Sequence, residues 1–417
     1  MREKKIEKER GAIALINTEK EINTELKNKL LDFMREDAYK PLSHNELIRA
    51  FQDNSLLVSE LDGVLNSLLE EGSIIITRKN KYGLTEKMNM VVGRIQGNKK
   101  GFGFLIPDNK DHRDLFIPAE NLNGAMNDDR VIVRLTAGEL GTKKSEGEVI
   151  RILKRANAKI VGTFESGKGF GFVIPDDQRI YQDIFVSKSD FKGAKEGYKV
   201  VVEITRWPEA RRNPEGVIVE LLGHKDDTGT DILSIIRGHN LPEEFPSEVE
   251  KQSEKIPEAV SQEDITKRRD LREKVIITID GEDAKDLDDA VSLEILPDGD
   301  YLLGVHIADV SQYVFENSYL DKEAIKRGTS VYLIDRVVPM LPKRLSNGIC
   351  SLNPQLDRLT LSCDMEIDRK GKVKKYEIYE SVIKTKERMT YENVNKILAD
   401  SDPVLAEKYG SLLNTFK

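Results

Sequence analysis

The sequence predicts a multidomain α+β protein made of a winged helix-turn-helix, two tandem OB-fold β-barrels and a mixed α/β domain. Three observations predict it. Residues 21–86 carry three helical apolar stripes followed by a short hairpin; residues 88–225 contain two segments, 68 to 69 residues apart, that repeat each other; and past residue 266 an acid-rich turn joins two β-prone runs. A prior of roughly 150 residues per domain gives a 417-residue chain two or three domains, and more when some are small barrels.

Composition excludes several classes. With 39% hydrophobic and 33% charged residues the chain is of ordinary globular type. No run approaches the ~20 apolar residues that span a bilayer. The opening Met1–Arg10 is charged and lacks an adjoining apolar core of secretory type, so a cytoplasmic protein is expected. Cys350 and Cys363 are the only cysteines and form no metal or disulfide pattern, so both are expected as buried thiols. The net charge of −8 argues against a simple polyelectrolyte binder. Residues 88–225 nevertheless hold 23 Lys and Arg against 19 Asp and Glu, a net of +4 that leaves −12 elsewhere. A nucleic-acid grip therefore belongs in the middle of the chain.

Residues 1–20 read as a charged tail. From Ile22 to Met34, Ile22, Leu26, Leu30, Leu31 and Phe33 follow a helical stripe. Ser43, with Glu46 three residues on, forms a capping box for a second helix through Leu47, Ile48 and Phe51. A third runs through Val58, Leu61, Val64, Leu65 and Leu68 and ends at Gly72. Ile74–Thr77 and a turn around Asn80–Gly83 read as a hairpin. The third helix, in the place of a recognition helix, carries Glu60, Asp62, Glu70 and Glu71 and no Lys or Arg, which is poor chemistry for phosphates. Sequence-specific DNA binding is not expected.

The repeat begins with Val92-Gly93-Arg94-Ile95, then Lys100-Gly101-Phe102-Gly103-Phe104 and Asp114-Leu115-Phe116-Ile117. Its second copy is Val161-Gly162-Thr163-Phe164, Lys168-Gly169-Phe170-Gly171-Phe172 and Asp183-Ile184-Phe185-Val186. Strand-like alternation with glycines at bends fits one five-stranded OB barrel per copy, over 88–155 and 157–225. Phe102 and Phe104 share a face, as do Phe170 and Phe172, and that face is either core or surface. The K-G-F-G-F and D-(L/I)-F-(I/V) segments resemble the RNA-binding motifs of cold-shock domains. On that reading Phe102, Phe104 and Phe116, with Phe170, Phe172 and Phe185, stack unpaired bases while Lys100 and Lys168 meet phosphate. Residues 226–265, with Pro242, Pro246 and Pro257, read as a connector holding one or two helices, and Lys267, Arg268 and Arg269 as a solvated face.

In Thr278–Val291, Asp280, Asp286, Asp288 and Asp289 sit at strand ends, close enough to oppose joint ionisation. A divalent cation removes that conflict, and magnesium, a hard ion that bridges to phosphates, suits the donors. A calcium loop started at Asp283 fails, because Asp288 stands where that loop needs Gly.

TIDGEDAKDLDDAV closely resembles the catalytic core of the ribonuclease II and ribonuclease R family. It is followed in family order by Gly304–Ser311, Arg327–Tyr332, Pro339–Pro342, Leu345–Gly348 and Cys350–Pro354. The resemblance makes residues 266–417 the N-terminal, incomplete portion of an RNB catalytic domain. It implies a processive 3′-5′ exoribonuclease that hydrolyses single-stranded RNA, and structured RNA with a 3′ overhang, to nucleoside 5′-monophosphates. It makes Asp280, Asp286, Asp288 and Asp289 the catalytic and magnesium-holding residues and Tyr332 the ring that stacks on the 3′-terminal base. His306 and Asp309 match positions of less certain role; a lone His on an apolar strand is expected as a hydrogen-bonded core residue. The family's pattern continues beyond the blocks found here, so exposed apolar surface and local disorder are expected past about residue 380. The alternatives are an RNA-binding fragment without turnover and a winged-helix regulator, which leaves the acid turn unexplained.

Overall fold

The computed structural model describes residues 23–36, 40–138, 145–209, 212–399, 402–405, 407 and 409. The charged tail over 1–20 lies outside them. The chain divides into two compact units, Met1–His239 and Asn240–Lys417.

The first unit starts with three helices, α1 over residues 23–35, α2 (His44–Ala50) and α3 (Ser55–Glu71). Their apolar stripes meet in one core, where Leu26, Leu30, Met34, Leu47, Leu61 and Leu65 are buried. The capping box forms: Glu46 accepts from the Ser43 amide at 2.7 Å and from its hydroxyl at 2.8 Å. Helix α3 ends at Gly72 in the left-handed region (φ 76°), where a Cβ would also come within 2.6 Å of Leu153. The hairpin β1 (Ile74–Ile76) and β2 (Tyr82–Leu84) completes the winged-helix order. Its turn lies earlier than expected, over residues 78–80, closed by the Thr77 amide donating to the Lys81 carbonyl at 2.8 Å. Asn80 takes the positive φ, and Tyr82 and Gly83 already pair in the second strand.

Two closed barrels follow. The first comprises β3 (Met90–Gly97), β4 (Gly103–Pro107), β5 (Leu115–Ile117), β6 (Arg130–Ala137) and β7 (Glu146–Lys154). The second comprises β8 (Lys159–Ser166), β9 (Phe170–Pro175), β10 (Ile184–Ser187), β11 (Tyr198–Arg206) and β12 (Glu215–His224). Both have the same strand order, with the third strand running parallel to the fifth to close the ring. The repeated glycines have one cause. A Cβ on Gly93 would sit 2.2 Å from the Ile106 carbonyl oxygen, and one on Gly162 would sit 2.3 Å from that of Ile174.

The expected connector is more structured than its prolines suggested, with three helices rather than one or two. Helix α4 (Thr230–Gly238) packs on the second barrel, with Ile236 fully buried. Helices α5 (Ser247–Ser253) and α6 (Gln262–Thr266) open the second unit. That unit is built on a seven-stranded mixed sheet of β13 (Arg269–Asp270), β14 (Ile277–Asp280), β15 (Asp289–Ile295), β16 (Tyr301–Ala308), β19 (Asp357–Ile367), β20 (Val373–Lys384) and β21 (Glu387–Thr390). Between β16 and β19 lie α7 (Tyr319–Arg327) and a small hairpin, β17 (Val331–Tyr332) with β18 (Val337–Val338); α8 (Tyr391–Leu398) follows the last strand. The order is β13-β20-β19-β16-β15-β14-β21, antiparallel inside and parallel at both outer pairs.

Two expectations are corrected here. Arg268 is not on a solvated face: its side chain is 5% exposed and pairs with the buried Asp309 at 2.6 Å. Cys350 is buried, but Cys363 only partly so. Past residue 380 the expected exposed apolar surface is present in part: Val382, Ile383 and Met389 lie in the core, while Tyr391, Leu398 and Val404 are 39–74% exposed. Residues 410–417 lie outside the described residues. Exposed apolar surface does occur, on one face of β15, β16, β19 and β20. Ile295, Ile307, Leu361, Tyr376 and Ile378 share that face by register and are 43–68% exposed.

Phe164 fills the second barrel, fully buried, with its ring 4.7 Å from that of Phe191. Phe164→Ala is expected to destabilise that barrel by about 3–5 kcal/mol. The chain's single tryptophan, Trp207, packs against the same core, so its fluorescence during urea unfolding measures the loss.

Candidate active site

Strand β14 ends at Asp280 and β15 begins at Asp289, and the turn between them is fixed from two sides. On one side Leu287, 1% exposed, plugs a core made with Ile276, Ala290, Ala308 and Leu352. Its amide donates to the Ser351 hydroxyl at 3.0 Å, and its carbonyl accepts from the Leu352 amide at 2.8 Å. Ser351 in turn donates to the Lys285 carbonyl at 2.9 Å, and the Asp288 carbonyl accepts from the Ala308 amide at 2.9 Å. On the other side Arg388 Nη2, from β21, donates to the carbonyls of Gly281 at 3.1 Å and Glu282 at 2.5 Å. With the backbone held and Leu287 directed into the core, the neighbouring side chains Asp286 and Asp288 are directed away from it.

The four carboxylates feel one another. Asp280 is pushed above the usual carboxylate range, chiefly by loss of hydration and then by the charges of Asp289 and Asp286, with Arg388 opposing. Its Oδ2 is buried without a hydrogen-bond partner. Asp288 retains an exposed edge, but crowding strips hydration from its carboxyl and, with Asp286, Asp289 and Asp280 nearby, raises its pKa as well. Asp286 accepts a hydrogen bond from the Tyr332 hydroxyl. That bond is the main reason the phenol is pushed up to about 12, ahead of loss of hydration. Tyr332 is 63% exposed, so it is a surface ring rather than a core tyrosine. It stands on a cleft of about 840 Å³ shared with Lys285, Asp286, Ile334, Lys343 and Asn347.

A buried carboxylate oxygen without a donor, amid mutually repelling acids, fits a hard divalent cation. Among the described residues, the one group of three acids whose ligand oxygens all lie within 4.8 Å is elsewhere, at Asp298, Asp300 and Glu366. Lysines neutralise that group: Lys374 bonds Asp300, and Lys375 pairs with Glu366 at 2.7 Å.

In the barrels, alternation turns all six phenylalanines outward while Leu105, Leu115, Val173 and Ile184 face in. Phe102, Phe104 and Phe116 cluster with centroids 5.5–5.8 Å apart, and Phe170, Phe172 and Phe185 at 5.7–5.9 Å. Lys100 and Lys168 are exposed beside them. Next to the first cluster, a Cβ on Gly101 would lie 3.4 Å from the Tyr181 ring. Sequence reasoning overlooked Tyr181, Ser351 and Arg388. Ser351 lies within the Cys350–Pro354 motif, and Arg388, some hundred residues from the turn it holds, carries no local signal.

An RNB domain profile matches residues 268–414, a Ribonuclease B OB domain 93–152 and a cold shock domain 172–246. The fold and site thus define a protein with an RNB domain preceded by two OB-type barrels. Ribonuclease R of Thermotoga maritima is 47% identical over 372 residues, covering 88% of this chain and 52% of that protein. Ribonuclease R of Acidithiobacillus ferrooxidans is 39% identical, covering 82% of this chain and 78% of that one. The chain belongs to the ribonuclease R family. It spans about half the length of the Thermotoga maritima relative. Mycoplasma genitalium RNase R in complex with ribose methylated single-stranded RNA superposes with a TM-score of 0.69 at 30% identity, covering 75% of this chain and 49% of that one. Yeast Ssd1, a pseudonuclease, shares the fold at a TM-score of 0.60 and 21% identity, covering 80% of this chain and 46% of that one.

His306 is the hydrogen-bonded core residue expected, fully buried between the hydroxyls of Ser292 at 3.0 Å and Ser362 at 2.7 Å. Loss of hydration lowers its pKa from 6.5 to about 4; Asp364 opposes the drop and Lys274 adds to it. A depressed folded-state pKa contributes stability that is fully present above pH 6.5 and is lost as pH falls through 4. The contribution is roughly 3 kcal/mol. Urea unfolding between pH 7 and 4, followed by circular dichroism, should show this loss, and a His306→Gln chain should show a shallower one.

Proposed function

We propose that this chain is the cutting and RNA-holding part of a magnesium-dependent 3′-5′ exoribonuclease acting processively on single-stranded RNA and on structured RNA with a 3′ overhang. The observation that supports the reading is that Asp280 and Asp288 feel the charges of Asp286 and Asp289 at one end of the sheet, beside an exposed Tyr332 whose hydroxyl is tied to Asp286. The names of the relatives support it.

Asp280, Asp286, Asp288 and Asp289 would hold the cation, directly or through water. Magnesium bound there would supply a nucleophilic water near neutral pH and offset charge on the leaving oxygen. The chain's own residues do the rest. The Tyr332 ring offers a stacking face for the terminal base, and its bond to Asp286 couples that base to the acid turn. Leu287 and Ser351 hold the turn rigid, which preserves the spacing of the acids. The two phenylalanine clusters hold unpaired bases, with Lys100 and Lys168 on the phosphates. Stacking is blind to base identity, so the reading calls for RNA without sequence preference. The acidic α3 supports no DNA operator and is better suited to assisting with structured RNA or a protein partner. Among the described residues no helix is long and apolar enough to cross a membrane, and a cytoplasmic location is part of this proposal.

Incubation with 3′-labelled single-stranded RNA should release labelled nucleoside 5′-monophosphate with magnesium and none with chelator. RNA retained without cleavage would instead make the chain a binding module. Asp288→Asn is expected to slow release at least about 100-fold while RNA is still bound. In RNA titrations, replacing Phe102 or Phe170 by Ala should weaken binding by roughly 1–3 kcal/mol each. Unchanged affinity in both would remove the barrels from the reading.

A further inference from the structure

Six buried side-chain polar atoms lack a hydrogen-bond partner among the described residues, and three of them stand side by side: Thr278 Oγ1, Asp280 Oδ2 and Arg388 Nε. Thr278 and Asp280 are two apart on β14, and Thr278 pairs with Arg388 on the parallel β21, so all three side chains share one face of the two strands. Ile277, Ile279 and Met389, at the intervening positions, pack together on the other. Thr278 is 1% exposed, so no solvent satisfies it. Buried polar atoms are nearly always paired, and three adjacent orphans at the edge of a cation site have a common cause.

We propose that Arg388 is the positioning residue of the acid turn. Nη2 clasps the carbonyls of Gly281 and Glu282, while Nε and the Thr278 hydroxyl are donors reserved for the inner oxygen of Asp280. The guanidinium fork thereby sets both the path of the turn and the rotation of the first carboxylate. A lysine, a point charge without the planar fork, supplies neither geometry. This inference rests on the metal reading of the acid turn, but it makes a separate claim about the metal-free chain.

Two measurements on the 417-residue chain test it. In hydrogen exchange without metal, Arg388→Ala should speed exchange of the Ala284 and Leu287 amides at least about tenfold, with the β16 and β19 amides unchanged. In manganese titrations followed by electron paramagnetic resonance, Arg388→Ala should bind the ion roughly 10- to 100-fold more weakly. Arg388→Lys should recover only part of that affinity, and added guanidinium should recover more of it in the alanine variant. Unchanged turn exchange in both variants would overturn the proposal, as would full recovery of manganese affinity by lysine. If the unsubstituted chain binds manganese no better than Asp288→Asn does, the metal reading fails, and the exchange experiment still decides the role of Arg388.

Discussion

Mutual repulsion among carboxylates gathered at one strand end is the constraint on which this architecture turns. Left to themselves, Asp280, Asp286, Asp288 and Asp289 would move apart into water. They are held because the backbone beneath them has no freedom to follow: Leu287 is sunk in the core, and the carbonyls of Gly281, Glu282, Lys285, Leu287 and Asp288 are all taken by donors. The donors come from Arg388, Ser351, Leu352 and Ala308, which belong to β21, to the stretch before β19 and to β16. The site therefore depends on the whole sheet, and the repulsion it stores is the ground on which a cation is proposed there.

The barrels solve a different problem with a simpler device. Strand alternation alone decides that Phe102, Phe104 and Phe116 point out while Leu105, Leu115 and Ile117 point in, and the second copy repeats the rule. Each aromatic cluster is supported from behind by a closed core, and its rings meet mostly edge to face. Glycines at Gly93 and Gly162 let the strands approach closely enough for closure.

Where sequence reasoning went astray, the cause was tertiary. Arg268 lay in a run of three basic residues and had the look of a solvated face; burial against Asp309 requires β16 and its exit to arrive from some forty residues away. The prolines of residues 226–265 suggested a connector, yet α4 is a barrel helix because Ile232 and Ile236 find apolar strands to cover. Cys363 pairs across the sheet with Val305 and Ile378, on the face that stays open, which is why it is only partly buried.

The order of the elements, the duplicated barrels, the capping box of α2, the stop at Gly72 and the clustering of four aspartates were all legible in the sequence, because each is decided by periodicity or by residues within a few positions of one another. Tyr332 was singled out through the family's motif order, and its bond to Asp286 came only through the fold. The grip of Arg388 on the acid turn, the plug made by Leu287 with Ser351, and the burial of His306 among hydroxyls belong to the tertiary structure alone. They join residues from about fifty to more than one hundred positions apart, with the Ser292–His306 bond the one shorter link, and no local pattern encodes which distant strand will supply the donor a carbonyl needs.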